Sequence, residues 1–132
     1  MRKQAVAAFR RAVTPDIDRN GRTPSRYSDS AIQVYGKSYR SKRGDVLIAM
    51  NLDPRLNPCE GPAGDEWQSV WFHLKGGTFH WIGNSLRLLD IGDYNDDGTA
   101  KILFQYDGYN RDGYVLLDPR DDSKTEFSWF YH

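Results

Sequence analysis

The stretch EWQSVWFHLKGGTFHWIG, residues 66–83, decides the fold class of this chain. Its two halves carry strand-like runs rich in aromatic and β-branched side chains, and the pair Gly76-Gly77 separates them. Such runs favour β-strands, and two glycines between them favour the tight turn of a β-hairpin. The stretch therefore predicts two antiparallel strands, over residues 66–75 and 78–83.

Both faces of the first of these strands are partly apolar. Side chains alternate along a strand, so Val70, Phe72 and Leu74 share one face. The other face carries Trp67, Trp71 and His73. We expect this strand to be central in its sheet and covered on both sides, with the N-terminal helix as a candidate cover.

The segment TEFSWFYH has two partly apolar faces as well, since Phe127, Trp129 and Tyr131 alternate against Phe130. We expect its strand also to be central and covered on both sides. The alternative is that one aromatic face is exposed as a platform for a ligand.

Six further segments show the same strand pattern, and polar turns such as DYNDDG and DPRDDSK separate them. The spacing leaves no room for crossover helices. We predict an all-β fold of seven or eight antiparallel strands, arranged as two blade-like sheets or as a sandwich. The six segments are 31–36, 45–52, 85–92, 99–106, 113–118 and 125–132. The side chains predicted to be buried are Val70, Phe72, Leu74, Leu88, Ile102, Phe104, Val115 and Leu117.

The N-terminal residues have a different pattern. The segment KQAVAAFRRAV places Val6, Phe9 and Val13 at helical spacing and predicts a short amphipathic helix over residues 3–13. Thr14-Pro15 predicts the end of this helix, and the polar segment that follows predicts a loop up to residue 30. We assign residues 1–132 to a single β domain, in which residues 1–30 form the helix and the polar loop.

Length and charge narrow the functional classes. A chain of 132 residues can bury a core of its own. It carries 18 basic and 18 acidic side chains, so its total charge indicates neither nucleic acid nor a membrane surface as a partner. Residues 1–45 carry eleven basic and four acidic side chains, whereas residues 90–132 carry four basic and ten acidic side chains. Either these two ends lie close together and partly neutralise each other, or the basic end is a patch for a polyanion. The chain has no run of eighteen apolar residues, so we predict no membrane span.

The segment DYNDDGTAKILF, residues 93–104, begins like a calcium loop. Asp93, Asn95 and Asp97 alternate, and Gly98 follows them. With its flanking strands, LLDIGDYNDDGTAKILFQYDGYNRDGYVLLD resembles the FG-GAP or VCBS repeats of integrin-type β-propellers. In those repeats, a D-x-[DN]-x-D-G-x-x-[DE] loop leads directly into an apolar strand.

The resemblance implies that residues 85–132 form one blade-like unit. It also implies calcium ligands at Asp93, Asn95 and Asp97, with the Thr99 carbonyl beside them. The sequence departs from the repeats at the ninth loop position, where Lys101 stands in place of an acid.

Lys101 leaves two interpretations open. Calcium prefers six to eight oxygen ligands and binds more tightly as carboxylates are added, so this loop is expected to hold calcium weakly, with a dissociation constant on the order of 10⁻³ M. Alternatively, the loop is an acidic hairpin turn without an ion, in which the ammonium group neutralises the carboxylates.

The resemblance further implies a non-enzymatic module that binds a protein or glycan partner in an extracytoplasmic or secreted setting. No signal peptide is predicted, because the apolar stretch AVAAF is too short. Tyr109 and Tyr114 lie across the short turn GYNRDGY and are the candidate ligand-binding residues. The alternative is an intracellular inhibitor or immunity-type protein whose polarised charge docks a partner enzyme or toxin.

Catalytic motifs are not found in the sequence. It contains no nucleophile elbow, no P-loop and no H-E-x-x-H zinc motif, so we predict that the protein is not an enzyme. His73 and His80 flank the glycine turn and are interpreted as a structural pair. The tripeptide Arg43-Gly44-Asp45 and the single Cys59 are interpreted as turn and loop residues.

Overall fold

A computed structural model describes residues 1–19, 28–42, 44–52, 69–108 and 110–131. These residues form one α-helix, a short 3₁₀ helix and eight antiparallel strands in two sheets, which confirms the predicted all-β class with an N-terminal helix. The elements are α1 (Arg2–Arg19), the 3₁₀ helix (Asp29–Ala31), β1 (Ile32–Arg40), β2 (Val46–Leu52), β3 (Val70–Lys75), β4 (Thr78–Gly83), β5 (Leu86–Gly92), β6 (Lys101–Gly108), β7 (Arg111–Asp118) and β8 (Ser123–Phe130).

The helix α1 buries the apolar stripe that the sequence predicts. Val6 and Phe9 are buried, and Val13 packs against the same core. The predicted end at Thr14-Pro15 is wrong, because α1 continues to Arg19. A proline removes one backbone hydrogen bond, but its fixed φ angle is compatible with a helix, so the helical backbone can continue through it at a cost of about 3 kcal/mol.

The predicted loop over residues 15–30 is therefore correct only in part. Its first residues continue α1, and its last residues begin the 3₁₀ helix Asp29–Ala31. Residues 20–27 lie outside the described residues. An ion pair fixes the 3₁₀ helix to α1, since Arg10 Nη2 lies 2.7 Å from Asp29 Oδ1.

The first sheet is a meander in the order β1-β2-β3-β4, with each strand antiparallel to the next. The helix α1 contacts β1 and β4 and buries its apolar stripe against the sheet. The buried side chains of this core are Ala5, Val6, Ala8, Phe9, Ile32, Ile48, Met50, Val70 and Phe72.

Strand β3 is covered on both faces, as its sequence predicts. Val70 and Phe72 lie in the core beneath α1, and Trp71 and His73 on the opposite face are also buried. The turn Gly76-Gly77 joins β3 to β4 with φ angles of 56° and 81°. Positive φ at both positions is the geometry of the predicted two-residue hairpin, and glycine adopts it without strain.

The second sheet is a meander in the order β5-β6-β7-β8. Phe104 lies opposite Val115, and Ile102 lies opposite Leu117, so these four side chains share one face of the sheet. All four are buried, as predicted.

Two of the predicted core residues are only half-buried. Leu74 lies near the end of β3, beside the glycine turn, and Leu88 lies next to a register shift between β5 and β6. A side chain near the end of a strand, or beside a register shift, has fewer neighbours than a side chain in the middle of a regular strand.

The chain divides into two compact units, Met1–Asn84 and Ser85–His132. The first contains α1 and the first sheet, and the second contains the second sheet. The assignment of residues 1–132 to a single domain stays a prediction. Within the described ranges, no helix is both long enough and apolar enough to cross a membrane.

Candidate functional site

The loop between β5 and β6 wraps around the side chain of Asp93. Asp93 Oδ1 accepts a hydrogen bond of 3.1 Å from the backbone N–H of Asp97, and Oδ2 accepts one of 2.7 Å from Gly98. Gly98 has a φ angle of 81° and Asp96 has a φ angle of 59°, so both residues adopt the left-handed conformation that a tight turn requires. The loop is thus a tight turn whose first carboxylate is bound to its own backbone.

The ammonium group of Lys101 lies among the other predicted calcium ligands. Lys101 Nζ lies 2.9 and 3.0 Å from the two carboxylate oxygens of Asp97, 2.9 Å from the Thr99 carbonyl oxygen and 3.3 Å from Asn95 Oδ1. Its side chain is only 8% exposed. Three of the four predicted metal ligands, Asn95, Asp97 and Thr99, therefore converge on the ammonium group, whereas Asp93 binds backbone amides.

These contacts do not fit a calcium ion in the same loop. Calcium requires six to eight oxygens at 2.3–2.6 Å, and here the oxygens accept hydrogen bonds from a cation that the chain itself supplies. The positive charge of Lys101 would also repel a divalent ion. Among the described residues, no group of three or more His, Cys, Asp or Glu side chains is arranged to hold a metal.

A second cation joins this loop to the turn between β7 and β8. Arg120 Nη2 lies 3.0 Å from Asp97 Oδ2 and 2.6 Å from Asp118 Oδ2. The hydrogen bond from Lys101, together with the Thr99 backbone N–H, holds the pKa of Asp97 well below its usual value. The hydrogen bond from Arg120 lowers the pKa of Asp118. Both carboxylates therefore stay ionised and paired over a wide range of pH.

Sequence reasoning did not identify Arg120 as part of this cluster. Arg120 lies 23 residues beyond Asp97, in a turn that the sequence marks only as polar and acidic. One signal is available in hindsight, since Arg120 is the single basic residue of the turn segment DPRDDS. We call Asp97, Lys101, Asp118 and Arg120 the ionic cluster.

The second sheet exposes three aromatic side chains on one face of β7 and β8. Tyr114 lies directly opposite Phe127, and Trp129 lies two residues further along β8 on the same face. The Trp129 ring centroid lies 5.8 Å from those of Tyr114 and Phe127, and both pairs are tilted by about 50°. Phe127 is 67% exposed, Trp129 39% and Tyr114 38%. We call these three residues the aromatic patch.

The two predicted ligand-binding tyrosines have different outcomes. Tyr114 is exposed and lies in β7, in agreement with the predicted strand 113–118, although β7 begins two residues earlier at Arg111. Tyr109 lies outside the described residues. Phe127 and Trp129 share one face, as their alternation in TEFSWFYH predicts. The expectation that this strand is central and covered on both sides is wrong, because β8 has a neighbouring strand on one side only within the described residues, and Phe127 and Phe130 are exposed on its two faces.

Two of the histidines, His73 and His80, lie within the described residues. His73 and His80 are cross-strand neighbours, as predicted. His73 is buried, and its Nε2 lies 4.0 Å from Asp45 Oδ2, whereas His80 is exposed. Arg43 and Cys59 lie outside the described residues.

Comparison of the chain with protein-family models, curated proteins and solved structures gives no match. The resemblance of residues 85–132 to FG-GAP or VCBS repeats therefore stays a prediction that depends on their sequence.

Proposed function

We propose that this protein is a non-enzymatic β module, of the FG-GAP or VCBS kind, that binds a protein or glycan partner through the aromatic patch. The observation that carries the proposal is the exposure of Tyr114, Phe127 and Trp129 side by side on one face. Aromatic rings provide a large contact area at a low entropic cost, and tyrosine and tryptophan are enriched where proteins bind partners.

A second candidate is an inhibitor or immunity-type protein that docks an enzyme or toxin. The distribution of charge supports it, because residues 85–132 carry five basic and ten acidic side chains, a net charge of −5. A surface of one sign accelerates association with a partner of the opposite sign. Both candidates place the partner on the second unit.

The experiment compares the native protein with Trp129→Ala and Phe127→Ala in a pull-down from lysate and on a glycan array. We expect each substitution to weaken capture of a partner on the order of tenfold, since aromatic residues dominate many interfaces. Tyr39→Ala is the matched control, because Tyr39 is an aromatic residue 48% exposed on the first sheet. Capture that survives both patch substitutions unchanged, or turnover of a substrate by the purified protein, would contradict the proposal.

A further inference from the structure

Strand β8 is an edge strand within the described residues, where its one neighbouring strand is β7. It is eight residues long, and β7 and β8 pair residue by residue from Ser123 to Phe130 with no register shift. It contains no proline. Proteins commonly block an edge strand with a proline, a bulge, a very short length or charged side chains. β8 lacks the first three of these devices, and its charged side chains, Lys124 and Glu126, lie in its first half.

Apolar surface accompanies this regular edge. Phe127 and Trp129 stand on the face that also carries Tyr114, and Phe130 on the opposite face is 77% exposed. An extended chain that pairs with an edge strand gains affinity from main-chain hydrogen bonds, and its alternate side chains contact the neighbouring side chains on each face. The patch would thus meet every second side chain of such a partner.

The charges beside the patch favour a basic partner. Asp112 lies opposite Trp129 in the β7–β8 register and so shares the face of the patch. Lys124 and Glu126 of β8 lie on the other face, where their charges offset each other. The nearby Arg111 points to the opposite face, where its guanidinium carbon lies 5.4 Å from the centroid of the Phe130 ring. The net charge of −5 on residues 85–132 also favours a basic partner. The same charge opposes the pairing of two β8 strands from two copies of the chain, because the copies repel each other.

We propose that β8 is a docking edge for an extended, basic peptide segment, which adds to the second sheet as a further antiparallel or parallel strand. This inference rests on the proposed function and specifies its partner as a peptide in strand conformation. Apolar side chains of the peptide contact the aromatic patch, and a lysine or arginine on the same face of the peptide lies near Asp112.

The first test selects binders from a library of random twelve-residue peptides displayed on phage, with the full chain as the target. We expect enriched peptides to carry apolar residues two positions apart, with a lysine or arginine on the same face, and to lack a central proline. A synthetic peptide of the enriched sequence should lose affinity on the order of tenfold on Trp129→Ala. It should bind Tyr39→Ala as it binds the native chain, and its affinity should fall as salt is added.

The second test uses backbone N-methylation of the same synthetic peptide. In a strand that pairs on one side, alternate N–H groups face the partner strand and the others face away. We expect methylation of one alternate set of residues to abolish binding and methylation of the other set to leave it unchanged. Equal effects of the two sets would overturn strand addition, as would enrichment of acidic or proline-centred peptides.

Two further outcomes separate this inference from the proposed function. Glycan binding that depends on Trp129, without any enriched peptide, would overturn the peptide inference and support the proposed module. Self-association that Trp129→Ala abolishes in sedimentation velocity would overturn it in favour of a second copy as the occupant. If neither peptides, glycans nor lysate proteins depend on the patch, both proposals fail.

Discussion

The two compact units stabilise their chains in different ways. In Met1–Asn84, α1 packs on the first sheet, and the side chains that hold the two together are apolar. In Ser85–His132, the long loop and the last turn are held by the ionic cluster, while aromatic side chains of β8 remain exposed. The difference teaches that a small sheet can bury apolar side chains on one face and fix its turns with charged side chains, while aromatic side chains stay exposed on its other face.

The largest expected effect is the difference in stability between a substitution in the core of the first unit and one in the aromatic patch of the second. Phe72 is 1% exposed beneath α1, so Phe72→Ala should lower the free energy of unfolding by about 3–5 kcal/mol through lost burial and a cavity. Phe127→Ala removes the same ring from a site that is 67% exposed. It should change the free energy of unfolding by less than about 0.5 kcal/mol. Urea unfolding of both variants measures the difference, and similar losses would contradict the assignment of Phe127 to a surface role.

A smaller effect tests the ionic cluster itself. Lys101→Met keeps the length of the side chain but removes the ammonium donor from Asn95, Asp97 and Thr99, and it should lower Tm by roughly 3–5 °C. The matched control is Lys3→Met, because Lys3 is exposed on α1. Thermal unfolding followed by circular dichroism gives both values. Equal Tm values for the two variants would show that the contacts of Lys101 do not stabilise the loop.

The smallest expected effect is a dependence of stability on pH. The pKa of Asp97 is lowered in the folded chain, chiefly by the hydrogen bond from Lys101, so its ionised form favours folding. That contribution is complete above its unfolded pKa of about 3.9 and is lost as the pH falls below this value towards the folded pKa. The Tm difference between native protein and Asp97→Asn should therefore be constant from pH 7 to 5 and shrink below pH 4. A Tm difference that grows as the pH falls would contradict the predicted direction of this pH dependence.

The fold was largely predictable from the sequence, because strand alternation and glycine turns are local signals. The hairpin at Gly76-Gly77 and the burial of Phe104 follow directly from them. The continuation of α1 through Pro15 was not predictable, since a proline usually marks a helix boundary and the local pattern does not show what the backbone does beyond it.

The candidate site was predictable only where it is local in sequence. Lys101 lies four residues from Asp97, so the loop alone suggested that its ammonium group could neutralise the carboxylates. Arg120 reaches Asp97 through the pairing of β6 with β7, and Trp129 reaches Tyr114 through the pairing of β7 with β8. The folded sheet sets the register of both pairs. A search for local motifs therefore found the acidic loop and missed the residues that complete the cluster and the patch.

Calcium titration by isothermal calorimetry tests the central claim most directly, namely that the ammonium group of Lys101 takes the place of a metal ion in the loop. The native protein should give little heat of binding. Lys101→Glu should bind calcium on the order of tenfold more tightly or better, because the substitution removes the competing cation and adds a carboxylate. Tight binding by the native protein, unchanged in Lys101→Glu, would contradict the claim.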